Sequence, residues 1–395
     1  MVPRLLTRER PQGPSLATVA DGVSVSDLNR DAFCDLGAEW DDLVRNAVEE
    51  NAYYSSRYAR SMLRFLQPGQ NIRALAVRKG AGLIGLLPYV TERWRWAGLA
   101  EVNVAWTNPY IFSSTALIDK ANVEAAVGAL LDAMEDKGSR QRSWILPSCN
   151  VDGPVVQAFK RALDARGLGS EALNVYDRPV LYAGESFETY MEAHVSSKRR
   201  RELGRNRRRL SETGGLSFRS YTEGAGLDEG LEAFLRIEKS GWKGAQGTAL
   251  DCTETGGSFA RAALGSGGRA PIGRADLLCL DEVPIAVSMS IQTGRTAFTV
   301  KCAFDETYRA QSAGLLLEEN IIQDVLTHRW ADCLDSATQP GHVIQALWNG
   351  SIRVGDLLFC VGDSASSGLR KAVQLETSRQ TVRELAKKSL SSIRA

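Results

Sequence analysis

Clustered metal ligands and paired cysteines are missing from this sequence. It contains three histidines, none in a His-Glu-x-x-His spacing, and seven cysteines without a close pair. Zinc sites need grouped His and Cys ligands, and disulfide frameworks need cysteines in recognisable pairs. The sequence therefore favours neither class, and we expect chemistry that uses no metal.

Long apolar runs are also missing. The nearest candidate, residues 83–90, contains Pro88 and is much shorter than the roughly 18 residues that cross a bilayer. The first residues carry Arg4, Arg8 and Arg10 where a secretory leader would have its apolar region. We expect a cytoplasmic protein, with a peripheral position at the inner membrane as the alternative.

The charge is small in total but unevenly distributed. The net charge of the 395 residues is +1, yet residues 196–210 hold eight Lys or Arg and one Glu, so the rest of the chain is net acidic. A chain of this length predicts two or three domains.

Hydrophobic periodicity predicts an α+β fold with two similar halves. In the first half we predict helices over 35–50, 55–66, 123–135 and 155–166, a hairpin of residues 72–77 and 83–90, and a strand over 143–146. In the second half we predict a helix over 227–240, a three-stranded meander over 275–280, 283–292 and 296–304, a helix over 315–328, and strands over 332–335 and 355–360.

This order suggests two domains in tandem, each a mostly antiparallel sheet flanked by helices. We divide the chain into a flexible arm (1–30), an N-terminal domain (31–184), a basic connecting helix (185–215), a C-terminal domain (216–365) and a helical tail (366–395).

The basic helix carries a narrow apolar stripe of Met191, Val195, Leu203 and Leu210. One face should pack, while the arginines either are solvated or bind an anion, such as a membrane headgroup, a phosphate of a substrate or a regulatory nucleotide. Nucleic acid is disfavoured, because no aromatic residue alternates with the arginines.

An anion-binding turn is predicted directly after the meander. In residues 308–314 the small Ser312, Ala313 and Gly314 open a helix, so that backbone N–H groups and the helix dipole could hold a pyrophosphate, with Arg309 adding charge. The alternative is an ordinary helix N-cap at Ser312, with Glu318 and Glu319 solvated.

Three stretches resemble the bacterial cellulose-biosynthesis-type GNAT N-acyltransferases, whose tandem architecture is similar to that of the Fem peptidyltransferases. They are residues 198–210, residues 238–250 with Glu-Lys-Ser-Gly-Trp-Lys-Gly, and residues 304–353 with Ser-Ala-Gly-Leu-Leu, Asp-Ser-Ala and His342. Ala313 stands where relatives usually carry proline, and Gly341 where they usually carry an acidic residue.

The resemblance implies an acyl-CoA donor, acetyl-CoA or a longer acyl-CoA, and a primary amine acceptor. For catalysis we expect Asp335 as the base, with Glu238 and His342 as the next candidates, and Tyr308 as the proton donor to the leaving thiolate. The expected donor-binding residues are Lys301, Cys302, Ala303, Arg309, Ser312, Ala313, Gly314 and Leu315. The expected acceptor-binding residues are Trp242, Lys243, Arg199 and Arg205.

The resemblance also suggests the substrate, an amine of a cell-envelope precursor such as an amino sugar of an exopolysaccharide. Three alternatives stay open: transfer of a long acyl chain to a sphingoid-like lipid amine, aminoacyl transfer from charged tRNA, and a non-catalytic sensor that binds an anionic nucleotide through the arginines.

Overall fold

The computed structural model describes residues 16–19, 22–94, 100–136, 143–268, 270–362, 365 and 368–378. The strands, in chain order, are β1 Leu16–Val19, β2 Val23–Asn29, β3 Arg73–Lys79, β4 Gly82–Trp94, β5 Ala100–Ala105, β6 Leu117–Ile118, β7 Ser143–Asn150, β8 Ser170–Tyr182, β9 Leu216–Tyr221, β10 Ile272–Leu280, β11 Val283–Thr293, β12 Thr296–Phe304, β13 Cys333–Asp335 and β14 Gly350–Cys360.

The α-helices, in chain order, are α1 Arg30–Cys34, α2 Ala38–Asn46, α3 Ser56–Ser61, α4 Val123–Asp136, α5 Pro154–Asp164, α6 Phe187–His194, α7 Ser197–Ser211, α8 Gly224–Ser240, α9 Trp242–Ala245, α10 Glu254–Leu264 and α11 Ala313–His328. Short helical turns of other types cover Ala52–Tyr54, Met62–Leu66, Leu250–Cys252, Glu306–Gln311 and Val343–Ala346.

The strands form one continuous sheet in the order β1-β2-β3-β4-β5-β7-β14-β8-β13-β12-β11-β10-β9, and β6 pairs with β4. Among the described strands, only β5 with β7 and β12 with β13 are parallel neighbours. The last strand, β14, lies between β7 of the first half and β8. The two halves therefore share a sheet, and the predicted α+β class with mostly antiparallel pairing is confirmed.

The meander of the second half is also confirmed. Strands β10, β11 and β12 pair in antiparallel fashion through tight turns, and α11 follows as predicted. Their alternating apolar residues are buried against α8 on one face and α11 on the other. This arrangement fixes β12 beside the N-terminus of α11.

Several predicted elements differ from the structure. The predicted arm contains β2, whose valines are buried in the sheet, and residues 1–15 and 20–21 lie outside the described residues. The helix predicted over 35–50 corresponds to the shorter α2, Ala38–Asn46, and the separate helix α1 precedes it and was not predicted. The 13-residue strand β8 was not predicted, because Asn174, Asp177 and Pro179 interrupt its apolar pattern. Of the predicted tail, residues 368–378 are helical and residues 379–395 lie outside the described part.

The basic segment folds as two helices. A break at Val195 and Ser196 separates α6 from α7, and the Ser196 side chain caps α7 by accepting the Arg199 N–H at 3.3 Å. Met191, Val195, Leu203 and Leu210 are all buried in one cluster with α11. The predicted apolar stripe therefore packs as expected.

A shared core joins the two halves. The Tyr53 ring lies 5.4 Å from that of Phe298, and the Tyr58 ring 5.5 Å from that of Phe259. Arg57 reaches across to donate hydrogen bonds to the backbone oxygens of Ala262 and Gly265. Among the described helices, none is long and apolar enough to cross a bilayer.

Candidate active site

A cavity opens where two parallel strands separate. Strands β12 and β13 are joined by α11 and pair over three residues only, ending with Phe298 opposite Asp335. Beyond that pair β12 continues to Phe304 against β11 alone. The gap contains a cavity of about 460 Å³, which we call the first cavity. A crevice at the carboxyl ends of parallel strands is the usual position of a ligand in such a unit.

The wall formed by β12 has backbone groups available. In the pairing with β11, Val300 is an extra residue without a partner opposite it, so the strand is bulged there. On the gap side, residues 299–304 have no neighbouring strand among the described residues. Bulges redirect backbone groups, and N–H donors in this wall could reach a carbonyl oxygen in the cavity.

The N-terminus of α11 forms the opposite wall. Ser312 precedes the helix with φ 54°, and its side chain does not cap the first turn. Gly314 lines the cavity, and a Cβ there would lie 3.4 Å from the Phe304 ring. The open first turn of a 16-residue helix favours an anion at this place.

Most of the predicted donor-binding residues line the first cavity. Those that line it are Lys301, Cys302, Arg309, Ser312, Gly314 and Leu315, together with Lys243 and His342. Ala313 is fully buried in the core and offers only its backbone, while Ala303 lines a smaller neighbouring cavity. Tyr308 packs against the core cluster under α11 and does not line the first cavity.

Glu318 lines the first cavity and was missed by the sequence analysis, which took it at most as a solvated residue. It lies one helical turn after Gly314, and its Oε1 accepts a hydrogen bond of 2.7 Å from Trp348 Nε1. Removal from solvent raises the pKa of Glu318 to about 7. A carboxylate that exchanges its proton near neutral pH suits a general base. The spacing of four residues from Gly314 is the sequence signal that places both on one helix face.

His342 lies at the edge of the first cavity. Its Nδ1 accepts the Ile344 N–H at 3.4 Å, so in the neutral ring the proton is on Nε2. Desolvation lowers the pKa of His342. The neutral imidazole is therefore the predominant form at neutral pH.

Glu238 holds two lysines beside the first cavity. Its carboxylate is almost fully buried and accepts hydrogen bonds from Lys301 Nζ at 2.7 Å, Lys243 Nζ at 3.3 Å and the Leu250 N–H at 2.8 Å. Burial lowers the pKa of Lys301, and the contact with Glu238 opposes that change. Trp242 is 52% exposed beside this cluster. With two cations and an N–H as partners, Glu238 positions the lysines that line the cavity.

Asp335 lies elsewhere. It lines a second cavity of about 180 Å³ on the side of the first half, together with Arg178. The Asp335 carboxylate accepts hydrogen bonds from Arg178 Nη1 at 3.3 Å and from the Ala337 N–H at 2.7 Å. The structure therefore does not bring Asp335 into the cavity that holds Glu318 and His342.

The predicted arginines of α7 do not line these cavities. Arg199 pairs with Glu202 at 2.8 Å, and Arg205 is exposed. The helix itself packs against α11 and the Glu306–Gln311 turn. Arg207 forms an ion pair with the buried Glu319 of α11, so this arginine stabilises the packing of α7 on α11.

Among the described residues, no group of His, Cys, Asp or Glu side chains has the arrangement of a metal site. The first cavity combines backbone donors, a helix terminus, Arg309, two lysines, His342 and one carboxylate of raised pKa.

Comparisons with known proteins agree with this geometry. Residues 197–337 match the model of the acetyltransferase (GNAT) domain. A crystal structure of FemX is similar, with a TM-score of 0.54 and 11% identity over 82% of this chain and 96% of that one. A conserved protein of unknown function from Bacteroides thetaiotaomicron has a TM-score of 0.51 and 9% identity over 82% of this chain and 97% of that one.

No curated protein matches the sequence. At these identities the solved structures establish the fold, and the family match concerns the segment that contains α7 to β13. GNAT domains use acyl-CoA donors and amine acceptors. The first cavity lies within the matched segment apart from Thr338 and three residues of the Val343–Ala346 turn and its cap. Residues 197–337 thus match a GNAT acetyltransferase domain, and this match supports an N-acyltransferase activity for that part of the chain.

Proposed function

We propose that the protein transfers an acyl group, acetyl by default, from acyl-CoA to a primary amine of a cell-envelope precursor, an amino sugar of an exopolysaccharide. The observation that supports an acyl-CoA donor is the separation of β12 and β13 at the open N-terminus of α11. The envelope substrate rests on the sequence resemblance given above.

The donor fits the first cavity in two parts. The first turn of α11, with Ser312 and Gly314, faces its pyrophosphate, and Arg309 at the mouth adds a positive charge. Val300, Phe304 and Leu315 line the cavity between the helix and the strand and provide apolar contact for the chain that leads to the thioester. Backbone N–H groups near Lys301 would then donate to the thioester oxygen.

The chemical step needs a base that deprotonates the ammonium group, and a proton that is delivered to the departing CoA sulfur. The ammonium first gives a proton to the Glu318 carboxylate, whose raised pKa brings it closer to the pKa of an ammonium group and so makes the transfer less costly. The amine nitrogen then attacks the thioester carbon, a C–N bond forms and the C–S bond breaks. The second nitrogen proton ends on the CoA sulfur, so the products are an amide and the CoA thiol.

Calorimetric binding of acetyl-CoA, palmitoyl-CoA and free CoA tests the proposal. We expect saturable binding that is lost in Gly314→Trp, because the new side chain fills the cavity beside Phe304. Gly204→Trp is the matched control, since Gly204 lies in a helix with nothing within 4 Å of a Cβ. Preference for palmitoyl-CoA would favour a lipid amine as the acceptor, and failure of all three to bind would overturn the proposal.

A further inference from the structure

The second cavity has an excess of acidic groups. It lies where β8, β13 and β14 face the first half, and the described residues that line it include three carboxylates, Glu49, Glu50 and Asp335, against one cation, Arg178. Arg178 pairs with Asp335 at 3.3 Å. Glu49 and Glu50 form no ion pair with a described residue, so the cavity electrostatically favours a positively charged group.

Glu49 has few partners that stabilise its ionised form. Its only hydrogen bonds to described residues come from the Val155 N–H at 3.3 Å and Thr115 Oγ1 at 3.4 Å. Removal from solvent raises the pKa of Glu49 to about 7, and these two hydrogen bonds only partly oppose the rise. A bound cation would lower the pKa of Glu49, because it stabilises the ionised carboxylate.

Two buried polar groups beside the cavity lack partners. Arg178 is 2% exposed, and its other nitrogens donate to Phe112 O, Tyr176 Oη and Asp335, but its Nε has no hydrogen-bond partner among the described residues. The hydroxyl of the fully buried Tyr53 also has none. Tyr53 lies beside the cavity, since its ring is 5.4 Å from that of Phe298, which lines it. Burial, and after it the charge of Asp335, raises the pKa of Tyr53 well above its usual value. Buried N–H and O–H groups without acceptors indicate a place for a ligand oxygen or water.

The second cavity ends where the first begins. Phe298 and Asp335, the last paired residues of β12 and β13, line the second cavity. The residues that follow them, Thr299 and Ser336, line the first. A group held in the second cavity is thus adjacent to the gap in which the thioester is proposed to lie.

We infer that the second cavity is a recognition site for the acceptor, a small hydroxylated primary ammonium group, which Glu49 and Asp335 attract and whose hydroxyl oxygen accepts from Arg178 Nε. From this site the amine enters the adjacent gap, where Glu318 takes its proton. The inference rests on the proposed function for its role in acyl transfer. At ~30 Å³ per water, the cavity of about 180 Å³ has room for about six waters. It therefore accommodates a small amino alcohol or part of one aminohexose ring, and the remainder of a larger acceptor lies outside.

Titration of the full chain, without CoA, tests the inference. The probes are 2-aminoethanol and glucosamine, with ethylene glycol and glucose as uncharged counterparts, followed by calorimetry or NMR. We expect saturable binding of at least one amine and none of the uncharged counterparts. Glu49→Gln keeps the shape of the side chain and should weaken amine binding roughly tenfold or more, while the exposed Glu229→Gln should not change it.

The outcomes separate the two proposals. If acetyl-CoA binds but neither amine does, or if amine and alcohol bind equally, the inference on the second cavity is overturned and the acyl-CoA proposal stands. If the amines bind with the expected dependence on Glu49 and no acyl-CoA binds, the proposed function fails instead. Thermal unfolding of each variant verifies that it is folded, and Glu50→Gln replaces Glu49→Gln if the latter is not.

Discussion

The indole N–H of Trp348 donates a hydrogen bond of 2.7 Å to Glu318, a carboxylate 30 residues earlier in the chain. Burial raises the pKa of Glu318, and this bond opposes the rise because it stabilises the ionised form. The balance leaves the pKa at about 7. Trp348 therefore positions and tunes a group that lines the first cavity, and the pair leads to two kinetic predictions.

Replacing Glu318 by glutamine should remove the base without changing the size of the side chain. We expect kcat/KM of the wild type to rise with pH through about 7, where Glu318 loses its proton. In Glu318→Gln we expect a rate lower by roughly 100-fold and a shallower rise near pH 7, because Glu49 then still titrates in that range. Release of the CoA thiol measures both the rate and its pH dependence. The affinity for acetyl-CoA should be retained. An unchanged pH profile would exclude Glu318 as the base.

Trp348→Phe should move the same inflection. Without the N–H donor the carboxylate loses a stabilising partner, so its pKa rises and the inflection of kcat/KM moves to higher pH. The plateau at high pH should stay near that of the wild type, because the ionised base is still present. An inflection that moves to lower pH contradicts this account of Glu318. Thermal unfolding controls for lost packing, since Trp348 is largely buried.

Glu238→Gln should destabilise the fold. The change leaves Lys301 and Lys243 beside each other without their buried counter-charge, and loss of one partner from a buried ion pair costs about 3 kcal/mol or more. Urea unfolding measures the free energy. The matched control is Glu232→Gln, whose half-exposed pair with Arg261 should contribute less than about 1 kcal/mol. Equal effects of the two variants would show that the buried cluster contributes no more than a surface pair.

Two neighbouring arginines of α7 should behave differently. Arg207→Ala leaves the buried Glu319 without its cation, so we expect a loss of about 1–3 kcal/mol in the free energy of unfolding. Arg205→Ala removes an exposed side chain and should change it by less than about 0.5 kcal/mol. Urea unfolding of both variants measures the two free energies. A larger loss for Arg205→Ala would contradict the stabilising role assigned to Arg207.

The local parts of the fold could be predicted from sequence. The β10 to β12 meander has alternating apolar residues and two tight turns, and the stripe that begins at Met191 has helical spacing, so both were found. Strand β8 was missed because its partners β13 and β14 follow it by more than 150 residues in the chain. Nothing near Pro179 in the sequence reveals that pairing.

In the candidate site, too, features that depend on adjacent residues were predicted and features that depend on distant residues were not. The turn from Arg309 to Gly314 depends on adjacent residues and was predicted as a unit, and it lines the first cavity. The environment of Glu318 depends on Trp348, and that of Asp335 on Arg178, both distant in sequence. Desolvation and ion pairing arise only when the chain folds, so sequence alone could not rank the three candidate bases against Glu318.

The position of β14 has a consequence for biosynthesis. Because Gly350–Cys360 lies between β7 and β8, both of these strands keep an unpaired edge until residues 350–360 have left the ribosome. Unpaired edges are the usual templates for aggregation. A nascent or truncated chain that ends before residue 350 should therefore depend on chaperones, and completion of the sheet should be a late, slow event dominated by contacts of long sequence separation.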